Sequence, residues 1–379
     1  MSFAFFRKTS KLIFLSINLL IAVFLLLGCY GSKINEGDYW FIGLFALATI
    51  YNLFLLIGFV FFWLIFKKSY AFISIICIAL CWSPLQQVIR FPTFQTFSYK
   101  KDTSVLRVMS WNVEHFCIGE HLLHPEKKDQ MLDLINKIQP DIACFQEMVG
   151  GDSSKKAINY LPDFKKRLGM NNYYFAFRNY WDFDVNHHFG DIIFSKYPII
   201  NKQIFENHPG EYNSIFQFVD IVKGKDTFRV FNIHLQSLKF SPTNRNYIND
   251  PVTGYQEDIK ESKNILMKFR NSFIKKHQQA DFIKKRINQS PYPVILCGDF
   301  NDVPNGYAYT KIGSDMRNAF SEKGSWIGNT YDGISPTLRI DNVFVDRQFE
   351  VRQYTRIKRS LSDHFPIVTD ISLIRSSIK

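Results

Sequence analysis

The chain has 379 residues, 46% of them hydrophobic, and a formal charge of +12 at neutral pH, so it can hold one large domain or two ordinary ones. With six cysteines and no Cys-x-x-Cys pair, neither a zinc site nor a disulfide framework is indicated, and the cysteines read as small buried hydrophobes. Of 46 basic and 34 acidic residues, residues 1–90 hold seven and two, leaving 39 against 32; that mild excess suits an anionic substrate or surface and is too small to mark a nucleic-acid binder.

The apolar residues are unevenly spread. Uncharged runs at about 12–30, 39–66 and 69–89 predict three membrane helices, the third roughened by Pro84, Gln86 and Gln87. Two further runs and no small-residue cleavage pattern argue against a removable signal. Aromatics lie near the ends of the runs (Tyr39, Trp40, Trp63, Tyr70, Trp82) as interfacial anchors do. Arg7, Lys8 and Lys11 precede the first run and Lys67-Lys68 joins the second to the third, so positive-inside logic places both in the cytoplasm. Three crossings then put the remainder outside the cytoplasmic (inner) membrane; two would leave it in the cytoplasm. No charge lies within a run, so transport has no residues to work with. Residues 1–90 are expected to be a multi-pass anchor in the bilayer, 91–104 a linker and 105–379 the catalytic domain.

Val105–Ser110 reads as a strand ending at Trp111, Asn112, Val113 and Glu114; Lys127–Ile138 follows with helical spacing and stops at Pro140. Ile142–Phe145 is a short strand delivering Gln146 and Glu147. A helix over 160–168, a strand over 173–178 and the strand Asp191–Ser195 come next, with Trp181, Asp182, Asp184, His187 and His188 in the loop between. Residues 211–222 and 227–235 read as a hairpin about Lys223-Gly224-Lys225-Asp226, with His234 near its end. Residues 258–287 form a long helix with an apolar side and a basic side; the basic side is either solvated or turned to acidic head groups or a polyanion. Val294–Cys297 is a buried strand stopped by Gly298, which delivers Asp299, Asn301 and Asp302 onto a turn. Leu338–Val345 and the Ser362-Asp363-His364-Phe365-Pro366 segment close the chain.

Strand ends therefore carry Asn112, Glu114, Glu147, His234, Asp299, Asn301, Asp341, Asp363 and His364. Carboxylates beside apolar strands are costly unless paired, hydrogen-bonded or metal-bound. Hard oxygen donors suit Mg²⁺ or Mn²⁺ better than zinc. Neither a P-loop nor a Gly-x-Gly-x-x-Gly fingerprint occurs, which argues against ATP-driven chemistry and dinucleotide binding.

In these pieces the sequence resembles the endonuclease/exonuclease/phosphatase superfamily: SWNVEHF from Ser110, QE at Gln146, GDIIFSKYPI from Gly190, NIHL from Asn232, GDFND from Gly298, RIDNVFV from Arg339 and SDHFPI from Ser362. The resemblance implies a four-layered α/β-sandwich, two packed mixed sheets flanked by helices, and metal-dependent hydrolysis of a phosphate ester. It implies Glu147 as the principal ligand of Mg²⁺ or Mn²⁺, with Asn112, Glu114 and Asp363 around it. Asp299 and Asn301 would orient water and phosphoryl oxygens, His234 would bond the phosphate, and His364, oriented by Asp341, would act as base or imidazolium. Arg178 is a further expected phosphate contact. Glu114 stands where an Asp is frequent, and Tyr173, Tyr174 and Tyr180 compete for the place of an active-site tyrosine. The substrate is expected to be a phosphate ester, a lipid head group or nucleic acid, with no obligate protein partner. The competing reading is an inactive tethered module that binds phosphate or nucleic acid on the same fold.

Overall fold

The computed structural model describes residues 3–34, 38–91, 96–120, 123–151, 159–177, 187–205, 215–249 and 255–374. The amino-terminal helices are α1 (Phe3–Tyr30), α2 (Ile42–Leu47), α3 (Thr49–Phe66), α4 (Lys68–Leu80) and α5 (Trp82–Val88). Helices α1 and α3 are long and apolar enough to cross a membrane. The expected third span is broken: α4 and α5 meet at Cys81 with a 66° bend. Pro84 lacks the N–H that would donate to the Leu80 carbonyl, and that carbonyl instead accepts the Tyr30 hydroxyl at 2.6 Å. The second run is broken as well, at Ala48. There Gly28 of α1 lies so close to the Phe45 carbonyl and the Thr49 hydroxyl that a Cβ would stand 2.5 and 2.6 Å from them.

One end of this bundle is marked by Lys11 over the Tyr70 ring at 4.9 Å and by Asn18, which donates to Ser74 and accepts from Trp63. At the other end Leu25, Cys29, Leu53, Leu56, Cys81 and Leu85 pack together, and there the remaining domain is attached.

That domain comprises β1 (Leu106–Asn112), α6 (Glu126–Ile138), β2 (Ile142–Gly151), α7 (Leu161–Leu168), β3 (Asn172–Phe177), β4 (His187–Ser195), β5 (Ile199–Phe205), β6 (Phe216–Lys223) and β7 (Asp226–His234). It continues with α8 (Pro242–Asn249), α9 (Tyr255–Asn288), β8 (Val294–Asp299), α10 (Tyr307–Gly313), β9 (Arg317–Asn318), α11 (Ala319–Lys323), β10 (Asp341–Val345), β11 (Phe349–Arg356) and β12 (Ile367–Leu373). One mixed sheet has the order β11-β12-β1-β2-β4-β3 and the other β5-β6-β7-β8-β10-β9. Strands β1 and β2, and β7 and β8, are the parallel neighbours.

Alternation along the strands sends one set of side chains between the sheets, where Val108, Ile142 and Cys144 meet Val230, Ile295 and Cys297. The outer face of the first sheet is covered by Met131, Ile135 and Ile138 of α6 and Phe164 of α7. The outer face of the second is covered by Ala280, Ile283 and Ile287 of α9 and Ile312 of α10. Helices, sheet, sheet and helices make the expected four-layered α/β-sandwich. Strands β5 and β11 were not legible in the sequence; both are edge strands, and exposed Lys202, Gln203 and Arg352 interrupt their apolar pattern. Strand β6 is described from Phe216, and residues 211–214 of that expectation lie outside the described residues.

Two guanidinium groups tie the parts together. Arg107, fully buried in β1, makes a two-pronged pair with Asp370 (2.7 and 2.8 Å) and donates to the carbonyls of Ser98, Tyr99 and Ile138, which pins residues 98–99 to the sheet. Arg339, also buried and stacked 3.6 Å from the Phe320 ring, donates to the carbonyls of Gln87, Val88 and Ile327. The amino-terminal helices are thereby clamped to the segment leading into β10. Ala46 of α2 packs on Val303 and Ile340, the Tyr51 hydroxyl of α3 lies 2.9 Å from the Ser335 hydroxyl, and Asn305 donates to the Pro84 carbonyl.

Candidate active site

The polar tips of both sheets meet at the end of the sandwich against which the amino-terminal helices rest. Strand β1 ends at Asn112, whose Oδ1 accepts the Glu114 N–H (3.1 Å) while Nδ2 donates to Asp299 (3.3 Å). Strand β2 carries a bulge: Phe145 pairs with Ile192 and Met148 with Gly190, so Gln146 and Glu147 together oppose Asp191. The bulge puts Glu147 at φ 53° and swings its side chain to the site. It is held by a buried network in which Gln146 donates to Asn232 (2.6 Å) and Asn232 donates to the carbonyls of Phe145 and Ile192. Asp191 accepts the Glu147 N–H at 3.3 Å.

Strands β7 and β8 run parallel in a register that sets His234 beside Asp299. One residue earlier, Gly298 has φ 156° and faces the Ile233 carbonyl so closely that a Cβ would stand 2.0 Å from its oxygen. Only glycine lets the two backbones approach there. Beyond it Asp299 closes an Asx turn, accepting from the Asn301 backbone (2.8 Å) and side-chain amide (3.2 Å). Asn301 sits at φ 45° and also donates to the Leu235 carbonyl. Asp341 lies opposite Asp299 in the register of β10 with β8. In the loop before β12, Ser362 donates to the Asn112 carbonyl and accepts from the His364 N–H, and Asp363 N–H donates to Glu114.

The imidazoles lie between these acids. His364 Nδ1 donates to Asp341 Oδ2 at 2.8 Å, and its Nε2 stands 3.7 Å from Asp299 and 4.0 Å from Asp363. His234 Nε2 is 3.5 Å from Asp299 and 3.8 Å from Glu147. Every expected site residue except Arg178, which lies outside the described residues, meets in this one cluster. Two residues not singled out in the sequence join it. His115 has Nδ1 3.0 Å from the Glu147 carbonyl and Nε2 3.7 Å from its carboxylate, and Asp191 lies under the bulge. Tyr173 and Tyr174 pack with the two cores, and Tyr180 lies outside the described residues. His188 stacks on Phe177, with ring centroids 4.3 Å apart.

Burial and charge set the ionisation of the site. Burial opposes the His364 cation, but the Asp341 and Asp299 carboxylates outweigh it and hold the imidazole pKa well above its usual value. Burial brings His234 down to about 4, so it is neutral at pH 7. Burial lifts Asp299 to about 7, with the Asp341 charge adding to the rise. Glu114 is raised by burial and then by Asp363 and Glu147. Glu147 is partly buried, which disfavours its charge, yet His234 and His115 bring it below the ordinary glutamate value.

These carboxylates fit a hard divalent cation. Glu114, Glu147, Asp299 and Asp363 crowd one rim, and the mutual repulsion seen at Glu114 is what an ion would relieve. Among the described residues, Oδ2 of Asp191 and Oδ1 of Asp341 are buried without a hydrogen-bond partner. A cavity of about 10 Å³, room for one water-sized sphere, is lined by His115, Glu147, Asp191 and His234. Among the described residues the tight His/carboxylate group is Asp299, Asp341 and His364, with ligand atoms within 4.8 Å of one another; its shortest contact is the Asp341–His364 hydrogen bond.

A family model described as the endonuclease/exonuclease/phosphatase family matches residues 109–364. The chain belongs to that family. A second model, a domain of unknown function (DUF8431), matches residues 10–88. No curated protein sequence matches the chain. Among solved structures, an endonuclease/exonuclease/phosphatase from Beutenbergia cavernae is 16% identical with a TM-score of 0.51, over 71% of this chain and 72% of that one. The corresponding protein from Bacteroides vulgatus is 17% identical with a TM-score of 0.51, over 72% of this chain and all of that one. D. rerio TDP2, solved with a single-strand DNA product, is 15% identical with a TM-score of 0.50, over 71% and 99%. At these identities the likeness is one of fold. Members of the family are generally phosphoester hydrolases that use divalent metals.

Proposed function

We propose that the protein is a membrane-anchored, divalent-metal-dependent phosphoesterase, most simply a phosphodiesterase. The observation that carries this reading is the convergence of Glu147, His234, Asp299 and the Asp341–His364 pair within hydrogen-bond or near-contact distance at the tips of separate strands. Glu147 would hold the metal, Mg²⁺ or Mn²⁺, with Asn112, Glu114 and Asp363 about it; bound there, the ion supplies charge neutralisation for the phosphate oxygens.

This chain's own residues do the rest. Asp299, held by Asn112 and by both amides of Asn301, orients the attacking water and takes its proton. His234 donates to a phosphoryl oxygen, while Asn301, whose amide hydrogens go to Asp299 and the Leu235 carbonyl, keeps Asp299 in place. His364, held by Asp341, faces the charge that develops as the ester P–O bond breaks in line and the leaving oxygen is protonated. The Asp341 carboxylate fixes which ring nitrogen of His364 points to the substrate.

Helices α1 and α3 cross the bilayer in this reading and the kinked α4–α5 pair completes a third passage. Arg7, Lys8, Lys11, Lys67 and Lys68 gather at the end of the bundle remote from the catalytic domain, which favours a cytoplasmic place for that end and an outer-side, periplasmic place for the domain. The family likeness to a protein solved with single-strand DNA keeps extracellular nucleic acid as an alternative substrate. The test is a Mn²⁺ titration of the full chain in detergent, followed by electron paramagnetic resonance. Saturable binding that is lost in Glu147→Gln supports the enzyme; absence of binding, with or without a phosphate diester analogue, favours the inactive module.

A further inference from the structure

The 34 residues of α9 make a rod about 50 Å long. Its carboxy-terminal half is buried on the second sheet through Ala280, Ile283 and Ile287. The other half is different. Ile259, Leu266 and Met267 are 40%, 44% and 48% exposed, and the exposed cations Lys260, Lys263 and Arg270 are interleaved with them. At about 100° per residue all six fall on one arc of roughly 120°. A solvated helix face has little reason to hold three large apolar side chains. Apolar residues mixed with lysine and arginine are what a helix lying in the plane of an anionic bilayer presents.

The position of this face adds an independent argument. Phe273 of α9 packs on Gly43 of α2, where a Cβ would come within 3.1 Å of its ring. Helix α2 leads directly into the candidate span α3, so α9 meets the anchor where the chain enters the membrane, and Tyr39 and Phe41 beside it are 51% and 45% exposed. The helix is also fastened to the site. Lys276 donates to the Asn301 carbonyl at 2.6 Å, Gln279 accepts the Gln236 N–H at 2.9 Å, and Ser272 donates to the Gln236 carbonyl.

We infer that the amino-terminal half of α9 seats on the leaflet from which the anchor emerges, and that the catalytic rim is thereby held at the bilayer surface. The substrate class that follows is a phosphate ester carried by a lipid of that leaflet; this last step rests on the hydrolase reading, whereas the seating does not. Charge complementarity and continuity with the anchor single out the bilayer as occupant of this face.

Two measurements on the full chain in vesicles of phosphatidylcholine, phosphatidylethanolamine and phosphatidylglycerol decide it. Bimane attached to Leu266→Cys or Met267→Cys, after subtraction of labelling on the unsubstituted chain, is quenched by doxyl lipid and shielded from iodide, whereas bimane on Arg352→Cys behaves oppositely. Equal iodide access at all three positions overturns the seating. In the same vesicles phosphorus NMR follows cleavage of the lipids, beside hydrolysis of the water-soluble bis(p-nitrophenyl) phosphate. The lipid-to-soluble rate ratio falls at least about tenfold in the double variant Leu266→Ser/Met267→Ser. An unchanged ratio, or a wild type that cleaves the soluble ester and DNA but no lipid, overturns the substrate class. A wild type that cleaves nothing refutes the hydrolase reading, and the bimane result then judges the seating alone.

Discussion

Gly298 offers a sharp test of how the site is built, because its substitution adds one methyl group and removes no catalytic atom. An alanine Cβ would stand 2.0 Å from the Ile233 carbonyl oxygen and 2.8 Å from Cγ1 of that residue, more than about 1 Å inside normal contact. Backbone has to yield, and the pair that yields is β7 with β8, in which His234 and Asp299 are neighbours. A displacement of about 1 Å at catalytic groups costs on the order of 10²-fold in rate, and overpacking of this kind destabilises by roughly 1–3 kcal/mol. Gly298→Ala is therefore expected to fold, to melt several degrees lower and to hydrolyse bis(p-nitrophenyl) phosphate about 10²-fold more slowly with Mg²⁺. Gly224→Ala is the control: its φ is 64°, nothing lies within 4 Å of the added carbon, and it should cost about 1 kcal/mol of stability without changing turnover. Turnover in Gly298→Ala within about twofold of wild type would refute the close-approach argument.

Three more expectations concern stability. Arg107→Met strands the buried Asp370 and three carbonyls and should destabilise by about 3–5 kcal/mol in urea melts, with much of that regained in Arg107→Met/Asp370→Met. Removing residues 1–90 takes the acceptors Gln87 and Val88 from Arg339 and uncovers Val303 and Ile340; the truncated domain should lose about 2–3 kcal/mol or aggregate, and melting as high as the full chain would contradict the clamp. In EDTA, burial holds His234 at about 4, below the roughly 6.5 of an unfolded chain. Between those values the unfolded state binds the extra proton, so this residue makes stability fall as pH drops, by up to about 1.4 kcal/mol per unit. Asp299, raised to about 7, acts with the opposite sign and masks the effect in wild type. His234→Asn should consequently gain stability relative to wild type between pH 6.5 and 4, read from melts at both; no relative gain would contradict the assigned burial.

Much of this was legible because local chemistry and global position agree. Val294–Cys297 reads as a buried strand, and it is one, since both faces of β8 are covered and nothing competes with the apolar run; the strand is not stopped by Gly298 but runs on to Asp299, because Gly298 lets β7 approach. The Asp and His residues at strand ends announced themselves by being costly anywhere else. What escaped the sequence depends on partners remote in the chain. The bulge that aims Glu147 exists only through its pairing with β4, so Asp191 looked like an ordinary strand residue and His115 like part of a loop. The motif SWNVEHF held the available signal for His115. Edge strands β5 and β11 hid behind their exposed polar side chains. The break at Cys81 follows from Pro84, which along the apolar run reads as mere roughness and in the fold is a missing donor to Leu80. Arg339 stands inside the RIDNVFV motif, yet its role as the clamp on α5 depends on where the amino-terminal helices lie.

The central claim is that acids, amides and imidazoles from separate strand tips hold a divalent ion and a water against a phosphate. Its most direct test is the rate of bis(p-nitrophenyl) phosphate hydrolysis by the full chain, titrated with Mg²⁺ and Mn²⁺ and compared with Glu147→Gln and His364→Ala. The account predicts metal-dependent turnover that EDTA abolishes and that each variant reduces at least about 10²-fold. Metal-independent turnover, or near-wild-type rates in both variants, would contradict it.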